Sequence, residues 1–444
     1  MTGQALRSLG VAIVVGALWL SALALPASAA NPVRWVDDDA GAGGGPSQCA
    51  TAPFTSIQAA IDASESWDRV FVCPGTYTEQ IDANVKGVLV KAQPLGQAHI
   101  VAPAVMTAGS GGVVALVRLS AWGTRLVGFD LDIEAGDSAV QTFAPTVCTH
   151  VDVAVLATGL HTRVRNNAID SIGTYTYSGT CGYDYGIVFG QHNITPTLTT
   201  PALSGLKVSR ARGNTVRDFK VGGVLVEGSE YHVNVVDNTI QFFHADDPGC
   251  VILSRQTITG CLSKPSPAVP VNSSFPLSFG VGVESAAVAD IEGNSITGYS
   301  GLVAPQGTHP PFGWGVSLSG ADGSTSVVSN AIDGAGDAGI TSAGSAGALI
   351  QGNTVTNSNA GISISDSNHE VTGNNVPGPA GAINNQGIQV AGSANNIHDN
   401  DFAGNAGTDC TDSTSGGGTA NTANTWLGDI GNTDSPDGIC SPAP

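Results

Sequence analysis

The sequence predicts an all-β fold, a single-stranded parallel β-helix in which short strands coil into a solenoid, and three observations predict it. One phrase returns through residues 327–402 as Ser329-Asn330-Ala331-Ile332, Gly352-Asn353-Thr354-Val355, Gly373-Asn374-Asn375-Val376 and Asp399-Asn400-Asp401-Phe402, at steps of 23, 22 and 25 residues counted from Asn330, Asn353, Asn375 and Asn400. A second phrase is interleaved with it, Gly339-Ile340-Thr341, Gly361-Ile362-Ser363-Ile364 and Gly387-Ile388-Gln389-Val390, and alternates apolar with small or polar residues as a strand does. The third observation is compositional. Gly accounts for 59 of 444 residues and charged residues for 12%, which suits tight turns and small outward side chains better than stacked helices. A repeat of this length without helical spacing is one coil of a parallel β-helix, stable only when stacked on its neighbours. The recurring Asn reads as structural, because Asn tolerates left-handed turn geometry and its amide can bond the same amide on the coils above and below.

Taken in chain order, residues 1–30 read as an export signal: Arg7 in a short polar start, an apolar stretch over residues 9–25, then Pro26-Ala27-Ser28-Ala29-Ala30 with small residues at the cleavage positions. No second apolar run approaches the ~18 residues of a membrane span, so the mature chain is expected to be secreted, extracellular, monomeric and without a membrane span. Val33-Arg34-Trp35-Val36 is a strand that runs into Asp37-Asp38-Asp39 and a Gly-rich loop. Three adjacent Asp could hold Ca²⁺, but nothing nearby supplies the spaced ligands of a calcium loop; Ca²⁺ stays open and no cofactor or metal ligand is assigned. The stretch Thr55-Ser56-Ile57-Gln58-Ala59-Ala60-Ile61-Asp62-Ala63 is the strong helix signal, with Thr55 as N-cap and apolar residues at 57, 60 and 61. Such a helix plugs the open end of a solenoid, whose bare strand edges would otherwise aggregate. Residues 31–87 are thus an N-terminal strand and capping helix, residues 88–405 the β-helix, and residues 406–444 a tail. Within the β-helix the same phrases recur upstream, at Asn167, Asn214, Asn238 and Asn294 and at Gly186, Gly223, Gly280 and Gly315, for roughly ten or eleven coils in all.

The capping stretch, followed by Asp68-Arg69-Val70-Phe71-Val72 and Pro74-Gly75-Thr76-Tyr77-Thr78-Glu79, resembles the N-terminal cap of right-handed parallel β-helix proteins in the pectin lyase-like superfamily. The resemblance implies a right-handed coil and, at the other end, a disulfide-closed tail of the kind found in secreted bacterial members. It implies no particular reaction, because the superfamily hosts lyases, hydrolases, esterases, epimerases and adhesins. The superfamily's catalytic motifs are missing: there is no Asp-Phe-x-Phe-Gly, Gly-His-Gly, Arg-Ile-Lys, Trp-x-Asp-His or Asp-Pro-His-Glu.

Formal net charge is −20, a field that disfavours nucleic acid and anionic membrane surfaces and leaves divalent cations and neutral or cationic glycans open as partners. Eight Cys in an exported chain predict four disulfides. Order along the coils pairs Cys49 with Cys73, Cys148 with Cys181, Cys250 with Cys261 and Cys410 with Cys440.

Chemistry is expected in two places. Insertions at 134–152, 171–185, 241–279 and 298–314 all follow the Asn-phrase strand or its equivalent, so successive coils stack them into one wall. Its rings and polar groups, Tyr175, Tyr177, Tyr183, Tyr185, His244 and Trp314, suit the apolar C–H faces and hydroxyls of sugars, and Asp184, Asp246 and Asp247 add carboxylates. The second place is the Gly-phrase strand: with the residue after Gly pointing inward, Glu227 and Glu284 face outward as neighbours on consecutive coils. Two such carboxylates could act as acid and base, share a cation, or simply be solvated surface acids. Arg217 and Lys220 are the nearest bases, and outward His192 and His232 have no partner legible in the sequence. The reading is a secreted β-helix that binds extracellular polysaccharide or a cell-surface glycan. A divergent polysaccharide lyase or glycoside hydrolase is one alternative, and a structural surface or matrix rod is the other.

Overall fold

A computed structural model describes residues 32–39, 44–103, 106–109, 113–132, 153–170, 185–190, 208–217, 219, 222–241, 251–254, 257–259, 269–270, 279–298, 313–378 and 384–442. Alternating apolar residues give short strands, and the strands stack coil on coil into three parallel sheets. The first sheet has thirteen strands among the described residues, from Val33–Val36 to Thr425–Leu427. The second has nine, from Gly75–Thr78 to Thr354–Thr356. The third has twelve, from Ile81–Asp82 to Asp434–Ser435. Each coil visits them in that order, and the result is a right-handed parallel β-helix.

The core lies inside the coil as aliphatic columns. In the third sheet Ile187, Val224, Val281, Val316, Ile340, Ile362 and Ile388 stand in register, all fully buried. These are the residues directly after Gly in the second phrase, so the inward assignment holds. At ~1.5–3 kcal/mol per buried aliphatic side chain, such columns supply most of the drive for coil stacking.

The Asn ladder is continuous. Each side-chain amide between the first and second sheets donates to the amide oxygen of the next coil, from Asn167 to Asn214, Asn238, Asn294, Asn330, Asn353, Asn374 and Asn400. The same oxygens accept the backbone N–H of the preceding rung. Two features differ from the sequence expectation. The rung in the third phrase is Asn374, buried, whereas Asn375 lies in a β-bridge to Thr354 and Asp401. The left-handed residue is not the rung but the one before it: Asn166, Asp237, Ser329 and Asp399 have φ of 53–57°, with glycines at the remaining rungs. A positive φ there turns the chain sharply and aims the next side chain inward, where the ladder Asn is needed.

The helix Ile57–Asp62 closes the N-terminal end, burying Ile57, Ala60 and Ile61 against the first strands. Its N-cap is Ser56 rather than Thr55, with Ser56 Oγ accepting from Ala59 N–H. Glu79 completes the cap by accepting from the N–H groups of Ile57 and Gln58 at 2.7 and 2.9 Å. At the other end Trp426 is buried, and its Nε1–H donates to Asp412 at 2.9 Å. Disulfides join Cys49 to Cys73 and Cys410 to Cys440, as expected. Cys148, Cys181, Cys250 and Cys261 lie outside the described residues, as do residues 1–31. Among the described residues no helix is long and apolar enough to cross a membrane.

Candidate functional site

The turn from second to third sheet is where the coils differ. The chain leaves at Asp130–Asp132, Ala168–Asp170, Thr239–Gln241 and Ser295–Thr297, and returns at Val153–Ala157, Tyr185–Phe189, Phe279–Glu284 and Trp314–Ser319. Those strands are stacked in register, so all four insertions spring from one corner. Between the second and third insertions lies a coil whose turn is only residues 218–221. Within the third insertion three short strands, Val251–Ser254, Thr257–Thr259 and Val269–Pro270, pair antiparallel.

Two of the expected ring residues sit on this face. Tyr185, Gly222, Phe279, Trp314 and Ala338 form one outward column at the start of the third-sheet strands. Gly222 makes the column possible, because a Cβ there would lie 2.5 Å from the Phe279 ring and 2.7 Å from that of Tyr185. The two rings meet over it, 6.2 Å between centroids. Tyr185 is only 6% exposed, closed in an apolar stripe with Val188, Leu225 and Phe279 on the outside of the sheet, while Trp314 packs at its edge half-exposed. Tyr185 is therefore a packing residue here, whereas Trp314 offers ring surface. Phe279 was not anticipated, since nothing in its local sequence distinguishes a ring laid over glycine from one pointing inward. Beyond the stripe the outward column turns polar through Ser317, Thr341, Ser363, Gln389 and Thr411.

Glu227 and Glu284 stand opposite each other in register at the far end of this face, both half-buried, with Ser319 and Ala343 next in the column. The register places them one strand spacing apart, ~4.8 Å between backbones. Arg217 ends a second-sheet strand opposite Gln241, outside this column. Tyr175, Tyr177, Tyr183, Asp184, His192, Lys220, His244, Asp246 and Asp247 lie outside the described residues.

Other titratable groups have structural partners. His232, which the sequence left without one, meets Asp290 at 2.8 Å on the next first-sheet coil. His369 is fully buried, with Nε2 2.5 Å from Asp366 and 3.3 Å from Ser342 Oγ. A nucleophile relay needs the serine and the carboxylate on opposite ring nitrogens. Here both meet Nε2 while Nδ1 faces the Ala348 carbonyl at 3.3 Å, so this cluster ties coils together. His398 lies between Glu370 and Asp399, at 2.5 and 2.9 Å. Hydrogen bonding to Asp399 first and then to Glu370 raises its pKa, and the His398 bond is the main cause lowering that of Glu370.

Residues 313–432 match the family described as periplasmic copper-binding protein (NosD). The donor set there does not fit copper: the stretch has no Met, its one Cys is in a disulfide, and His369 and His398 each already bond carboxylates. No curated protein matches the chain. Among solved structures, the alginate lyase of Paenibacillus sp. str. FPU-7 is 14% identical, over 83% of this chain and 94% of that one, with a TM-score of 0.38. The Dettilon tailspike protein is 14% identical over 84% and 62%, with a TM-score of 0.43. The periplasmic alginate epimerase AlgG is 10% identical over 83% and 77%, with a TM-score of 0.41. The chain itself is a right-handed parallel β-helix.

Proposed function

We propose that the protein is exported and binds extracellular polysaccharide along the third-sheet face, beside the corner from which its insertions spring. The observation that supports it is the alignment on one face of half-exposed Trp314, the outward Glu227 and Glu284 pair, and four stacked insertion origins. A sugar ring would lay its apolar face on the indole and offer hydroxyls to the carboxylates. The insertion residues Tyr175, Tyr177, Tyr183 and His244 belong to the same proposed surface.

The Glu227 and Glu284 pair also supports a second reading, a divergent polysaccharide lyase or glycoside hydrolase. Carboxylates held one strand spacing apart at their backbones would suit the closer of the two arrangements used in glycoside hydrolysis. One assay separates the readings. Purified mature protein is incubated with a panel of neutral and acidic polysaccharides, with Ca²⁺ or EDTA, and both reducing ends and the ultraviolet absorbance of unsaturated uronate are followed. Retardation in affinity gels without either product supports binding alone, and Trp314→Ala should then weaken it about tenfold. Product formation abolished by Glu227→Gln or Glu284→Gln establishes the enzyme. No retention and no product across the panel would refute both.

A further inference from the structure

We infer that a second strip, on the outer face of the first sheet and the corner preceding it, binds a linear anionic glycan; it does not depend on the third-sheet reading.

The strip is built from arginines. Arg125, Arg163 and Arg210 stand in register on consecutive coils, ~4.8 Å apart along the axis, with Arg69 two coils earlier in the same column. Two residues further along the strands, Arg165 and Arg212 form a parallel column. Their neighbours Leu126, Val164 and Ala211 are fully buried in the core, so the arginines face outward. Among the described residues only Arg212 of these has an ion pair, an exposed one with Asp237 at 3.0 Å. The Nε–H groups of Arg125 and Arg165 are buried without a hydrogen-bond partner.

Stacking like charges is unfavourable, and the Arg125 guanidinium shows it: burial first, then Arg163 and Arg69, hold its pKa below the ordinary value. A chain with 36 acidic and 16 basic residues had ample carboxylates to interleave. Instead the column continues as Asn234 and then Asp290, acidic only where the arginines have ended. The positive charge is left for a ligand to meet.

The adjoining corner supplies the rest of a sugar site. Trp67 and Trp122 are 41% and 39% exposed, edge to face at 5.5 Å, and Trp122 meets His161 at 4.7 Å. Each precedes by a few residues the strand carrying Arg69, Arg125 or Arg163, so rings and guanidinium groups run side by side along the axis. Aromatic faces take the C–H side of a pyranose, and the guanidinium fork takes a carboxylate or sulfate bidentately. The coil spacing is close to the advance per residue of an extended glycan, so successive sugars meet successive coils. A nucleic-acid duplex fits worse, because its phosphate track would run on from Arg210 over the one coil that carries both Asp290 and Glu292.

The test uses full-length mature protein in affinity electrophoresis and calorimetry. Polygalacturonate serves as the carboxylated probe, dextran sulfate as the sulfated one, dextran as the neutral one and single-stranded DNA as the phosphate polyanion. Binding of either anionic glycan is expected, weakening as salt is raised. It should fall at least tenfold in the double variant Arg163→Glu, Arg210→Glu and in Trp122→Ala. Should the reversed variant unfold early, Arg163→Gln with Arg210→Gln carries the same expectation without adding charge. Absence of binding to both anionic glycans overturns the inference, as does unchanged affinity in the arginine variants at wild-type thermal stability. Tighter binding of DNA than of either glycan overturns it too. A loss confined to Trp314→Ala and Glu284→Gln would assign glycan binding to the third sheet alone.

Discussion

Asp429 occupies the ninth rung of the asparagine ladder, where it accepts from the Asn400 backbone N–H and side-chain amide through Oδ1. Its Oδ2 is buried with no hydrogen-bond partner, at the place where every other rung carries a donor. Burial pushes its carboxyl up to about 6, against the opposing pull of the Asn400 bonds and His398. Because the folded value exceeds the unfolded one, this site favours the folded state fully below the unfolded value of 3.8 and loses that contribution as pH rises through about 6. Asp429→Asn should therefore stabilise the protein by up to ~2 kcal/mol at pH 8 and leave it unchanged at pH 4. Urea midpoints of both proteins at the two pH values check this; equal midpoints at pH 8 would remove the penalty from the account. Residue by residue, the ladder was the most legible feature, since Asn after a turn residue is conspicuous in text. The slip to Asn375 arose because two Asn are adjacent and only the fold shows which faces inward. The arginine column was legible in principle and passed over: Arg125, Arg163 and Arg210 each stand four residues before a rung position, at Phe129, Asn167 and Asn214. Net charge concealed it, because a sum over the chain carries no position.

At the scale of single elements, the third-sheet strand Gly222–Glu227 carries more of the candidate site than its sequence indicates. Its inward residues Val224 and Val226 join the core, Leu225 joins the outer stripe, Glu227 ends it, and Gly222 is the gap into which two rings fold. Alternation predicted which residues face in, and the carboxylate register followed from it. That the outward face is itself apolar and buried was not predictable, because the rings that fold over Gly222 come from the neighbouring coils, at Tyr185 and Phe279. Gly222→Ala tests the element: the Phe279 and Tyr185 rings must both shift, at a cost of ~1–3 kcal/mol. Thermal unfolding should start earlier and near-ultraviolet circular dichroism should change, and a variant matching wild type in both would show that the rings have room to spare.

For the whole molecule, the fold follows from having two closed ends and an interior that any coil can continue. The helix Ile57–Asp62 covers one end, and the Cys410 to Cys440 disulfide with buried Trp426 covers the other. Replacing both cysteines by serine opens a loop of 30 residues and is expected to cost ~2–4 kcal/mol. Because coils depend only on neighbours, the loss should appear as early proteolysis and hydrogen exchange confined to the last coils, with the N-terminal coils unchanged. Uniform destabilisation along the rod would contradict nearest-neighbour stability.

The direction of the asparagine ladder sets a rule for how such a molecule can change length. Every rung gives to its successor, so excising one whole turn, such as the 21 residues 353–373, rejoins a donor to an acceptor and leaves no amide stranded. The spacing between rungs itself varies, at 23, 21 and 26 residues from Asn330 through Asn353 and Asn374 to Asn400, so a coil can gain or lose residues in its loops while the ladder holds. Length along the axis thus changes by entire coils, whereas the girth of each coil is free.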